Sequence, residues 1–231
     1  MRRALLLILV LPLAVAAGAS PAEPANPPAK RWATRIDNPW FPLQPGTTFV
    51  YRGVKDGQPS RDVFTITNRK KLIRGADCTV VADRLYLRGR LAERTTDWYA
   101  QDVHGNVWYF GEETAELDKK GRVTSTEGSW QAGVGGARAG IYMPAHPRVG
   151  QAFRQEYYKG HAEDHFRVLS LSATVRVPYT ASKRALLTKE WTPLEPGVVD
   201  HKLYVRGIGM VEEGNVKGGD ERAVLVALRH S

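Results

Sequence analysis

The chain has 231 residues, 42% of them hydrophobic, and a formal charge of +9. That is long enough for one large domain or two small ones and apolar enough to bury a core. Cys78 is the only cysteine, which excludes an internal disulfide, and the basic residues are scattered, with no RNP pattern, zinc module or helix-turn-helix, which argues against nucleic acid as a partner.

Met1-Arg2-Arg3, an apolar run from Ala4 to Ala17 and the Ala17-Gly18-Ala19 site are the three parts of a cleavable signal peptide over residues 1–19. The apolar run is too short to span a bilayer comfortably. This predicts a periplasmic or secreted protein with no transmembrane segment after cleavage; an uncleaved N-terminal anchor is the alternative. No Cys follows the apolar run, so lipid attachment of the bacterial lipoprotein kind is not expected. Loss of Arg2 and Arg3 would lower the charge to +7, a balance that suits either solubility or contact with anionic envelope material. Residues 20–31 are Pro/Ala-rich and read as a linker, leaving 32–231 as a single β domain.

Asn38 to Gly46 carries three prolines and closes on Pro45-Gly46, which enforces an extended, turning approach. Strand-like alternation follows in Thr47–Val54, Asp62–Lys70, Cys78–Arg88 and Leu91–Val103. Thr96 to Glu113 holds two aromatic runs about a Gly105-Asn106 turn signal and predicts a β-hairpin. With Gly105 and Asn106 as the two turn residues, Val103 faces Trp108, Asp102 faces Tyr109 and Gln101 faces Phe110. Trp98, Ala100, Asp102 and Tyr109 then share one face, and Tyr99, Gln101, Val103, Trp108 and Phe110 the other. A one-residue shift changes the pairs but leaves aromatics on both faces, so the hairpin is expected to be covered on both sides.

Glu116–Ser125 reads as an exposed hairpin. Gly128 to Pro147 is Gly-rich without a regular period and reads as a long covering loop anchored by Trp130, Ile141, Tyr142 and Met143. Strand character resumes in Gln151–Tyr158, Glu163–Val177, Ala185–Thr192, Val198–Val211 and Arg222–Leu228. Turns recur every 8 to 14 residues or so and no segment has a helical period. The expected fold is all-β: one strongly curved antiparallel sheet, a half-barrel or open barrel.

Asn38-Pro39-Trp40-Phe41-Pro42-Leu43-Gln44-Pro45-Gly46-Thr47-Thr48-Phe49-Val50-Tyr51 resembles the "PLxPGttwvY" opening of a group of uncharacterised bacterial exported proteins. Asp97 to Asp102 with Gly105 to Glu112, Glu190 to Gly197, and Lys202 to Glu212 resemble further motifs of that group, which implies no particular activity. More coarsely, the chain resembles the half-barrels of periplasmic lipoprotein carriers and mycobacterial lipid-binding lipoproteins. That likeness implies a curved sheet around an apolar cavity, though this chain has no lipobox and no helical lid sequence.

His161-Ala162-Glu163-Asp164-His165 is the sharpest chemical pattern. His161, Glu163 and His165 share a face if the segment is a strand, and two imidazoles with a carboxylate suit a divalent ion. The segment lacks the H-E-x-x-H order of zinc hydrolases and follows a Lys159-Gly160 turn, so a solvated turn is the alternative. Ser129 lacks a G-x-S-x-G elbow, Cys78 reads as a buried inert thiol, and Gly133–Gly140 lacks the context of a phosphate loop. No catalytic residue is assigned, and no cofactor beyond that divalent ion. Asp97, Asp102, Glu112 and Glu113 flank the aromatic hairpin and could serve glycan hydrolysis or sit at wet sheet edges.

The candidate ligand surface is Trp98, Tyr99, Trp108, Tyr109, Phe110, Trp130 and Tyr142. Two functions follow. One is non-catalytic binding of an apolar or amphipathic envelope ligand, lipid-like or not, or of an envelope partner. The other is a metal- or carboxylate-dependent hydrolase acting on envelope glycan or lipid.

Overall fold

A computed structural model describes residues 32–230. The expected signal peptide of 1–19 and linker of 20–31 lie outside the described residues. Between its glycine and proline turns the chain alternates as the pleat demands, and the described residues form strands and turns with no helix. The strands are β1 (Thr47–Lys55), β2 (Gln58–Ile73), β3 (Ala76–Leu87), β4 (Arg90–Gln101), β5 (Val107–Leu117), β6 (Val123–Ser125), β7 (Trp130–Gln131) and β8 (Arg138–Met143). They continue as β9 (Ala152–Arg154), β10 (Glu156–Tyr157), β11 (His165–Arg176), β12 (Ala181–Trp191), β13 (Val199–Val205), β14 (Gly209–Lys217) and β15 (Arg222–His230).

They build one antiparallel sheet in the order β10-β8-β5-β4-β3-β2-β1-β15-β14-β13-β12-β11-β9, with β6 and β7 also on β5. Most neighbours are consecutive in sequence, a meander that curls until its edges meet. The two edges are successive stretches of chain: Ala152–Arg154 pairs with β11, and Glu156–Tyr157 pairs with β8. Gln155, between them, donates its backbone N–H to Asp164 at 2.8 Å. The sheet is thus a barrel closed except for one unsealed seam, the curved all-β architecture expected.

The Gly128–Pro147 stretch is part of this wall. Trp130–Gln131 and Arg138–Met143 pair with β5. Two glycines permit the close approach: a Cβ at Gly111 would collide with the Trp130 carbonyl, and one at Gly140 with the Arg154 carbonyl across the seam. These strands are too short and glycine-rich to show a period of two, hence their loop-like sequence.

The proline-rich segment before β1 closes one end of the barrel. Phe41 enters the interior, with ring centroids 4.5 Å from Tyr142, 5.4 Å from Tyr99 and 6.3 Å from Phe64. Its backbone is tied down by Gly207 N–H donating to Pro39 at 2.7 Å, and by Asp37 and Asn38 N–H donating to the Gln101 side-chain oxygen at 2.9 and 2.8 Å. Three prolines hold it extended and leave few backbone donors needing partners.

Candidate functional site

The β4–β5 hairpin supplies one wall of the site, in a register set by its turn. Asp102 to Asn106 forms the loop, with Asp102 N–H donating to Asn106 at 2.9 Å and Gly105 N–H to Asp102 at 3.0 Å. The observed pairs are Gln101 with Val107, Ala100 with Trp108 and Tyr99 with Tyr109. They differ from those read off a two-residue Gly105-Asn106 turn because the Asp102 carboxylate gathers the loop: Oδ1 accepts from His104 and Asn106 N–H, each at 2.9 Å. Tyr99 and Tyr109 therefore share a face, and Ala100 and Trp108 the other. Aromatics stand on both faces, as either register requires.

The outer face is covered by the chain itself. Trp32 lies edge-on to Phe110 and Trp108 at 5.2 and 6.4 Å, and Lys71 Nζ sits 3.3 Å from the centroid of Trp98. Trp108 donates its indole N–H to Asp102 at 2.9 Å.

On the inner face an irregularity decides which side chains meet. Asp97 pairs with Glu112 while Tyr99 pairs with Tyr109, so β5 has one extra residue there, at Phe110-Gly111. Gly111 has φ +124°, open chiefly to glycine. Without the bulge Tyr109 and Glu112 would point to opposite faces; with it both point inward.

They border a cavity of about 190 Å³ at the seam. Tyr99, Tyr109 and Tyr142 form its aromatic wall, with Tyr99 and Tyr109 stacked at 4.7 Å and Tyr142 edge-on to Tyr99 at 5.1 Å. Glu112, Gln155, Glu156, Asp164, Glu190 and Lys202 supply the polar wall. Behind the tyrosines, Trp130 stands edge-on to Tyr109 at 5.5 Å and donates its indole N–H to Glu156 at 2.8 Å. Tyr109 donates its hydroxyl to Asp97 Oδ1 at 2.7 Å.

Burial governs the electrostatics. It pushes the Asp97 carboxyl up to about 7, with the Tyr109 hydrogen bond pulling back and Asp62 and Glu93 pushing further. Burial and the nearby Asp164 push Glu156 up to about 8 despite the Trp130 bond. Glu112 is raised by burial and then by Asp97 and Glu156. Lys202 keeps its charge: burial opposes it, but Glu190 and then Tyr142 and Glu213 more than compensate. Its Nζ lies 2.9 Å from Glu190 Oε2 and 3.5 Å from Glu213 Oε2.

Of the aromatic residues singled out from sequence, Tyr99, Tyr109 and Tyr142 line this cavity and Trp130 buttresses it, whereas Trp98, Trp108 and Phe110 pack on the hairpin's other face. The three turn residues engage separate partners. His161 Nδ1 is 2.8 Å from Glu127 Oε1 with its ring stacked on Tyr158, and Glu163 accepts from Gly160 N–H at 2.8 Å. His165 is buried, stacked on Trp191 at 5.5 Å, and accepts from Arg154 Nε at 3.1 Å through Nε2. Among the described residues no group of three His, Cys, Asp or Glu is arranged to hold a metal ion. Cys78 is buried, and burial pushes its thiol up to about 12, the inert state expected. Glu156, Asp164, Glu190 and Lys202 were not picked out from sequence; an acid at an inward position of a predicted strand, as at Glu190, is the one signal that could have flagged them.

No family model matches the chain, and no curated protein does. Two solved structures are similar in fold. One is a candidate exported protein with a YmcC-like fold from Bacteroides fragilis, at TM-score 0.48 and 14% identity, covering 82% of this chain and 98% of that one. The other is a candidate lipoprotein from Parabacteroides distasonis, at TM-score 0.42 and 9% identity, with the same coverage.

Proposed function

We propose that this is an exported, non-catalytic binding protein that holds a small amphipathic envelope molecule in the cavity at the seam. The observation that carries this reading is the cavity itself: where Phe41 fills the capped end, the seam keeps about 190 Å³ open between three tyrosines and a set of carboxylates. Ring faces on one side and polar groups on the other are the division of labour of a small-molecule site. The signal-peptide pattern of residues 1–19 supports export. A volume of about 190 Å³ suits a short apolar group, so the part of the ligand held between the tyrosines is small.

Native mass spectrometry of the protein purified from its own envelope tests this. A small molecule should accompany the wild type and be lost from Tyr142→Ala, a change at a half-buried wall residue. A chain that carries nothing and gains no thermal stability from any envelope amphiphile overturns the reading.

A second reading, a carboxylate-dependent hydrolase of envelope glycan, draws on Glu156 and Asp97, acids held near neutrality beside aromatic rings. Release of reducing ends by the wild type and not by Glu156→Gln would replace binding with hydrolysis.

A further inference from the structure

Four tyrosines are buried among the described residues, and three of them satisfy their hydroxyls: Tyr51 donates to the Met210 carbonyl at 3.1 Å, Tyr109 to Asp97 at 2.7 Å and Tyr204 to Glu190 at 3.4 Å. The hydroxyl of the fourth, Tyr99, 3% exposed, makes no hydrogen bond to any described residue. The buried side-chain amides divide in the same way. Asn38 donates to the Gly105 and Pro144 carbonyls, and Gln101 accepts from the Asp37 and Asn38 N–H groups and donates to Asp37. Gln155, 4% exposed, uses neither end of its amide on a described residue. Both exceptions border the cavity at the seam, as does the half-buried Tyr142, whose hydroxyl is likewise without a partner among the described residues.

Two neutral groups so deeply buried, unsatisfied and gathered on one cavity are the sign of a bound molecule, because buried polar groups are nearly always hydrogen-bonded. Their polar atoms are open, unlike Asp97 Oδ2, which is closed to solvent. The chain bends at Gln155, between β9 and β10, so Gln155 and Glu156 both reach the cavity where an unbroken strand would send them to opposite faces.

A phenol and a carboxamide each donate and accept, so the groups that satisfy them best do both. A cation offers no acceptor. An anion meets four carboxyl groups in the wall, with Lys202 already held by Glu190 and Glu213. Hydroxyls donate and accept at once, and Glu156, which burial pushes up to about 8, keeps its proton at neutral pH and adds a further donor for them. The rings of Tyr99, Tyr109 and Tyr142 supply apolar surface beside these polar groups.

Resting on the reading of the cavity as a ligand site, we infer that the ligand presents a neutral sugar ring there, its hydroxyls bonded by Tyr99, Tyr142 and Gln155 and its C–H face set against the tyrosine rings. A volume of about 190 Å³ suits one such ring.

Calorimetric titration of the purified protein at about pH 7 tests this, with the methyl β-glycosides of glucose, galactose, mannose and N-acetylglucosamine as probes and cyclohexylmethanol, n-butylamine and glucuronate as apolar, cationic and anionic controls. At least one glycoside should bind, and more tightly than any control. Tyr99→Phe and Gln155→Met remove only polar atoms that the free protein does not use. Each should weaken that glycoside about three- to tenfold while leaving the urea midpoint of the free protein unchanged or higher. Unchanged affinity in either folded variant overturns the inference, as does failure of all four glycosides. If the glycosides fail while a control binds and is lost in Tyr142→Ala, the sugar assignment falls and the cavity remains the site. If nothing binds, both fall.

Discussion

Asp97 and Asp102 stand on one hairpin, are equally buried at 6% exposure, and do opposite things. Asp102 is saturated: Oδ1 accepts from two loop amides, and Oδ2 from Asn106 Nδ2 and Trp108 Nε1, all at 2.9 Å. Its removal strands a buried indole N–H and two turn amides, so Asp102→Ala should cost about 2–4 kcal/mol, read as a lower urea midpoint. Asp97 has one satisfied oxygen and one orphan, and Asp97→Asn removes a buried charge while Tyr109 keeps an acceptor. That variant should unfold at an equal or higher urea concentration at pH 8. Equal destabilisation by both changes would show that Asp97, too, is structural. In sequence the two acids look alike, each beside an aromatic run; what separates them is how many donors the turn brings to each, and that depends on where Asp102 sits in the loop.

At the scale of elements, the bulge at Phe110-Gly111 aims Glu112 inward, and the β7 strand that carries Trp130 packs over it. Gly111→Ala would force a Cβ into the Trp130 carbonyl at a φ of +124° that alanine avoids. The expected cost is about 2 kcal/mol or more. The near-ultraviolet circular dichroism of Trp130 and Tyr109 should change; an unaltered spectrum with wild-type stability would deny the bulge its role. The hairpin and most strands were legible in the sequence because alternation survives along them. The bulge was not, since reading faces by twos assumes an unbroken ladder. Nor were β7 and β8, where two to six residues among glycines carry too little pattern. The Asn38–Gly46 prolines announced an extended segment, but that Phe41 plugs the barrel follows only once β4, β8 and the β13–β14 turn converge on it.

For the whole molecule, a basic chain wrapped around an acidic interior makes a prediction about pH whose sign is diagnostic. Asp97 faces Asp62 on β2, Asp83 and Arg84 on β3, Glu93 on β4, and Tyr109 and Glu112 on β5. Glu156 faces Asp164, Asp97, Trp130 and Lys202. Burial raises Asp97 to about 7 and Glu156 to about 8, from ordinary values of 3.8 and 4.5. Carboxyls raised in the folded state bind more protons there than in the unfolded chain, so their contribution is full below the ordinary values and is lost as pH climbs through 7 and 8. His165, lowered by burial and by Arg154, acts in the opposite sense below its ordinary 6.5, so the comparison belongs above that value. Between about pH 6.5 and 8.5 the two acids together should cost about 2–3 kcal/mol, or about 5–10 °C in the unfolding temperature. General charge repulsion predicts the reverse, because a chain with an isoelectric point near 9.7 loses net charge over this range. Differential scanning calorimetry of the ligand-free protein decides: a falling unfolding temperature, flattened in Asp97→Asn, locates the effect in the barrel, and a rising one assigns stability to the surface.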